Sequence, residues 1–243
     1  SFIAGLARHA RADTAGNTSG TELSKPQEVK YFTPDGGGSH SGHTWQDAMP
    51  IVWLQRSFPL AEPGTAYYIG FPADAGPLPF RKSWGSLGVS GAAGNPIQIR
   101  GGRPGQGAAI ESVGANSGPL IKSANPWSMD AAIAHGAPKP PLQLVQSASH
   151  VAVSGFAVEG TGVGGFIRFV AVKGTEETYE DILISDIVAQ NVGRVIETMH
   201  DTVVRHLTVE NCNATNIVRG FARFFDLSDS VFRKITLDAG NLN

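Results

Sequence analysis

From Val151 onward the apolar residues fall on alternate positions, in short bursts broken by a bend. "VAVSGFAVEG" places Val151 and Val153, then Phe156 and Val158, at a spacing of two, the period of a β-strand. Three further segments repeat the pattern: "ILISDIVAQN" from Ile182, "TVVRHLTVEN" from Thr202 and "SVFRKITLDA" from Ser230. Their starts lie 31, 20 and 28 residues apart (151, 182, 202 and 230). Superposed, they give three apolar rows: Val153, Ile184, Val204 and Phe232; Phe156, Ile187, Leu207 and Ile235; Val158, Ala189, Val209 and Leu237. A further strand falls between segments: "GGFIRF", "VGRVIET" and "RGFARFF". A unit of about 20–30 residues with roughly three strands cannot bury its apolar face alone. Stacked on copies of itself, each coil about 4.8 Å from the next, it can. The pattern predicts an all-β parallel β-helix.

The N-terminal half reads differently. Residues 1–28 have no sustained period and read as a tail or linker, with the β-helix domain over 29–243. "VKYF" alternates like a strand, and "TPDGGGSHSGHTW" is a loop by its Pro, Asp and Gly content. Trp45, Ala48, Met49, Val52 and Trp53 then recur at helical spacing, with Thr44 as N-cap and Pro50 forcing a kink or a late start. "EPGTAYYIGF" and "GNPIQIRGG" follow as strands, separated by an irregular excursion over 72–95, and a long loop covers 114–140.

Composition agrees with a β-rich chain. Only 16% of residues are charged, against roughly 25% in average soluble domains. Thirty glycines accompany 41% hydrophobic residues. A net charge of −2 speaks against a nucleic-acid footprint, and no apolar run reaches the roughly 18 residues of a membrane span. The single cysteine, Cys212, reads as a small structural residue.

The repeat over 150–240, together with the order "YFTPDGGG…TWQDAM…EPGTAYYIG…GNPIQIRGG", resembles the pectate-lyase-like superfamily of right-handed parallel β-helices. The resemblance implies an N-terminal helix that caps the open end of the coil and a location that is extracellular, periplasmic or at the cell surface. It implies a polysaccharide partner in a groove along one sheet. It does not choose a function, because the fold hosts lyases, hydrolases, epimerases, tailspikes and adhesins. The repeat that runs into "DAGNLN" leads to the expectation that the C-terminal end is missing, or that self-association or a partner covers the last coil.

The candidate chemistry lies on the strands between the segments. Aligning Gly165, Gly193 and Gly220 turns Ile167, Val195 and Ala222 inward. Arg168 and Arg223 then face outward two coils apart, with Arg194 on the coil between them. Guanidiniums in line suit an anionic sugar chain, since each can hold a carboxylate bidentately. The alternative is solvated arginine paired with local acids. "ETMHD" supplies Glu197, His200 and Asp201 as acid or base beside Arg223; the alternative is a polar turn. β-Elimination from a uronide needs a base at the carbon next to the carboxylate and a cation to stabilise the intermediate. The "NTD" and "DD" pattern of polygalacturonases is missing, which favours a lyase acting on an acidic glycan over a hydrolase. A non-catalytic adhesin, tailspike or fibre component is the second reading. No cofactor or metal is required; calcium stays open, since no acidic cluster marks the groove strands. His206 reads as an outward turn residue level with Gly155, Asp186 and Lys234, Asn191 and Asn211 as an asparagine ladder, and "SHSGH" as a flexible loop.

Overall fold

A computed structural model describes residues 23–70, 84–102, 142–159, 165–217 and 219–238, with the backbone course of strands Leu78–Phe80 and Leu120–Ser123. Every strand pair among them is parallel. Sheet 1 is ten-stranded, and its main path runs from Val231–Asp238 through Thr208–Thr215, Ile182–Gln190, Val151–Glu159, Ile97–Gly102 and Thr65–Gly70 to Glu28–Thr33 and Met49–Pro50. Sheet 2 stacks Ala222–Arg223, Ile196–Thr198, Ile167–Val170, Leu142–Val145 and Gly85–Leu87; sheet 3 stacks Glu177–Glu180, Thr202–Arg205 and Asp226–Ser228. From Val151–Glu159 onward the chain visits the sheets in turn and rises one strand per circuit. This is a parallel β-helix, right-handed as parallel crossovers are.

The corners have a local cause. Residues with left-handed φ recur every five positions: Asp181, Asp186 and Asn191 on one coil, His206, Asn211 and Asn216 on the next. Asp and Asn tolerate this conformation because their short side chains bond the nearby backbone. Asp181 and Asn191 bracket the sheet 1 strand Ile182–Gln190 and Asp186 bends it midway, so it is built from two straight legs of about four residues.

This geometry corrects the register of the third copy. Ile184 pairs with Val209, and Ile187 aligns with Cys212 through the adjoining register. The aligned segment is therefore "LTVENCNATN", not "TVVRHLTVEN". The apolar rows become Val153, Ile184, Val209 and Phe232; Phe156, Ile187, Cys212 and Ile235; Val158, Ala189, Ala214 and Leu237. Val204 lies instead in sheet 3, between Tyr179 and Leu227. Cys212 is a buried core residue, and burial pushes its thiol up to about 12. The asparagine ladder pairs Asn191 with Asn216, whose Nδ2 donates to Asn191 Oδ1 at 2.5 Å; Asn211 belongs with Asp186 at the middle bend. His206 is a turn residue, but on a different corner: with His150 it flanks Asp181, at 3.4 and 3.2 Å from Nδ1 to the two carboxylate oxygens.

The N-terminal helix is shorter than its apolar spacing predicts. After Pro50 the chain forms a 3-10 turn, Ile51–Trp53, one α-turn, Leu54–Ser57, and a second 3-10 turn, Phe58–Leu60. Leu54 and Phe58 are the buried residues of this segment, while Val52 and Trp53 are 66% and 38% exposed. The segment lies against Gly85–Leu87, the outermost strand of sheet 2, and that strand falls inside the stretch expected to be irregular. Trp45 stays outside the helix, in a turn closed by Asp47. Thr44 Oγ1 accepts from the Asp47 N–H, and Asp47 Oδ1 accepts from the N–H and hydroxyl of Ser39. The proposed tail, residues 1–28, and the loop over 114–140 lie largely outside the described residues. Within them, Ser24 accepts a hydrogen bond from Gln98 Nε2, and Leu120–Ser123 is a strand of sheet 1.

Candidate functional site

Sheet 2 presents its outer face through alternate residues of short strands, because Ile167, Ile196 and Leu142 occupy the core. Gln143, Arg168, Glu197 and Arg223 stack in register on four successive coils. The residue between Arg168 and Arg223 is thus Glu197, one position away from the glycine-based alignment. The turn before Ile196–Thr198 holds one residue more than its counterparts, which places Ile196 rather than Val195 opposite Ile167.

Glu197 is 6% exposed and is held from two sides. Arg168 donates from Nε and Nη2 to Oε2 at 3.1 and 2.9 Å, and Arg194 donates from Nη1 to Oε1 at 2.9 Å. Arg194 comes from the turn, three residues before Glu197, so two guanidiniums from different coils share one carboxylate. Burial, together with the nearby guanidiniums of Arg223 and Arg219, pulls Arg194 below the usual arginine range, opposed by Glu197. The patch is cationic: Arg168 and Arg194 hold one acid, and Arg223 follows it in register on the next coil.

Arg223 and His200 meet through a residue that the sequence pattern did not mark. Phe225 is 41% exposed at the turn after Ala222–Arg223. The Arg223 guanidinium lies 4.7 Å from its ring centroid, and the His200 ring centroid is 4.2 Å away. Met199 and Val172, 37% and 59% exposed, sit in the corresponding turns of the two preceding coils. The five residues expected to form a site therefore gather on one face in two groups. Arg168, Arg194 and Glu197 form an ion-paired triad; Arg223, His200 and Phe225 form an exposed stack. The triad realises the alternative reading of Arg168 and Arg194, pairing with a local acid. A signal for Phe225 existed, since two aromatics after an outward arginine cannot both face the core of a two-residue strand.

Among the described residues, no three His, Cys, Asp or Glu side chains are grouped to hold a metal ion, and no helix is long and apolar enough to cross a membrane.

No protein-family model and no curated protein matches the sequence. Solved structures do match. They include a rhamnogalacturonan lyase (TM-score 0.51, 14% identity, 86% of this chain and 51% of that one). They also include the GH136 lacto-N-biosidase from Eubacterium ramulus (TM-score 0.48, 12% identity, 86% and 40%) and pectate lyase Pel9A (TM-score 0.44, 12% identity, 86% and 47%). The chain spans about half the length of these structures. With the all-parallel sheets, the first of these shows the fold: the chain is a parallel β-helix.

Proposed function

We propose that the protein acts on an acidic polysaccharide laid along the outer face of sheet 2, cleaving it by β-elimination in an extracellular, periplasmic or cell-surface setting. The observation that carries the reading is the cationic patch, two guanidiniums committed to one carboxylate with Arg223 in register on the next coil and its guanidinium over Phe225. Arg223, exposed and oriented over Phe225, is placed to take a sugar carboxylate and spread the charge that develops beside it. His200, in contact with the same ring, is the group that would take the proton from the carbon next to the carboxylate. The bond to the leaving sugar oxygen then breaks, its electron pair stays with that oxygen, a carbon–carbon double bond forms, and water reprotonates the oxygen. Glu197 has a different part in this scheme. Held by two arginines, it orients them and is not the base.

A binding-only β-helix is the second reading. It is favoured by the pinning of Glu197, which leaves a single imidazole to do all the proton transfer. One experiment separates the two. Acidic polysaccharides are incubated with the protein and the near-ultraviolet absorbance of unsaturated ends is followed. A lyase gives a rising signal that Arg223→Ala abolishes and Arg223→Lys restores in part, since a point charge cannot replace a bidentate fork. Retention on the glycan with no absorbance rise would reject the lyase in favour of binding. Neither product nor retention across a broad panel would reject both.

A further inference from the structure

We infer that the outer face of sheet 1 carries a second acidic-sugar site, centred on Arg100 and Ser154, with Trp45 and Tyr31 as its aromatic shelf. Gln98, Arg100 and Gly102 share one face of their strand, opposite the core residues Ile97 and Ile99. Across the sheet Arg100 is in register with Tyr68 on one side and Ser154 on the other, and Ser185 follows Ser154. An outward row of this kind is ordinarily solvated. Here Arg100 is 7% exposed, Ser154 2% and Ser185 5%.

The hydrogen bonding of the row is incomplete. Arg100 Nη1 donates to the Tyr68 hydroxyl at 3.2 Å, but its Nε has no partner among the described residues. Ser154 Oγ, on the adjacent strand, has none among them either. No carboxylate pairs with Arg100 among the described residues; Glu210, two coils beyond Ser154, is occupied by Arg233. A buried guanidinium needs a counter-charge, and buried donors need acceptors. Two neighbouring donors of this kind, one of them cationic, are matched by a single group with two acceptor oxygens and a negative charge, which is a carboxylate.

The surroundings select a sugar carboxylate over a bare anion. A Cβ at Gly102 would lie 2.7 Å from Trp45 Cζ2, and one at Gly70 would lie 2.6 Å from Trp45 Cη2. The two glycines let the indole lie directly on the sheet over positions 70 and 102, two residues along the strand from Arg100. Tyr31 meets Trp45 edge-on at 4.7 Å and lies 5.8 Å from Tyr68. An apolar aromatic shelf beside a carboxylate-binding pair fits a ring that has a flat C–H face and one acidic substituent. This site shares no residue with the sheet 2 patch and stands whether or not that patch is catalytic.

The test is thermal unfolding of the full chain, followed by circular dichroism at matched ionic strength, with sodium glucuronate, sodium acetate or glucose as probe. Glucuronate is expected to give a saturable rise in Tm of at least about 2 °C, and glucose none. In an Arg223→Ala background, which silences the carboxylate-binding arginine of sheet 2, a saturable rise should remain, and adding Arg100→Met, which keeps bulk but removes the charge, should abolish it. Ser154→Ala removes only a hydroxyl, and should raise the half-saturating glucuronate concentration about tenfold. In that background, no rise with glucuronate, or an equal rise with and without Arg100→Met, would overturn the site. Acetate as effective as glucuronate would overturn the assignment to a sugar.

Discussion

Glu197→Gln separates stability from binding at the cationic patch. The substitution keeps the volume and one acceptor oxygen but removes the charge that two guanidiniums share at 2.9 Å each. Breaking a fully buried ion pair costs about 3–5 kcal/mol, and an exposed pair is worth about 0–1 kcal/mol. The Glu197 side chain is 8% exposed, while Arg168 and Arg194 are 22% and 12% exposed, so solvent can partly rescue the arginines. The retained amide oxygen still accepts one hydrogen bond. Together these place the loss at about 2–3 kcal/mol. For a domain of this size each kcal/mol shifts Tm by about 2–4 °C, giving a fall of roughly 4–12 °C. The same change frees Arg168 and Arg194 for an external anion. Affinity for a polyuronate should therefore rise, and rise more steeply at low salt, because one more positive charge is unmatched. Calorimetric titration with oligogalacturonate at two salt concentrations, beside a melting curve, reads both effects. An unchanged Tm would refute the triad as a structural tie, and weaker binding would refute the claim that Glu197 competes with the ligand for the arginines.

Ile187, fully buried between Phe156 and Cys212 in the middle apolar row, should lose about 2–5 kcal/mol on substitution by Ala, read by urea unfolding; a loss below about 0.5 kcal/mol would remove it from the core. The Cys212 thiol should resist alkylation in the native state. Because its folded value, about 12, lies above the unfolded one, its contribution is complete below about pH 8.5 and lost as pH rises towards 12, so Cys212→Ala should flatten the alkaline limb of the stability profile. At Asn216, with φ of 51°, Gly should be tolerated and Val should destabilise by about 1–2 kcal/mol, compared by melting temperature; equal effects would show that the left-handed corner is not what Asn216 supplies.

Alternation determined the fold from the sequence alone. A side chain two residues from a core residue on a straight leg is itself a core residue, so the buried rows at Val153, Phe156 and Ile184 follow from local spacing. The same locality explains why the third copy was misplaced. Bends recur every five residues, and "TVVRHLTVENCNATN" alternates through two of them, so a slip of one leg leaves every apolar residue on an inward position. His206 and Asn211 are equally good bends; strand pairing decided that Asn211 stands above Asp186. The arginine row had the same weakness. One extra turn residue put Glu197 between Arg168 and Arg223, and whether a column of like charges forms or an ion pair does depends on that one-residue count. Side chains that meet across coils were beyond the sequence altogether. Phe225 reaches His200 from the next coil, Trp45 reaches Gly102 across sheet 1, and Arg100 is buried beside Ser154. Sequence spacing carries the period of a strand, but these contacts depend on the height of one coil above another, which only the wound chain sets.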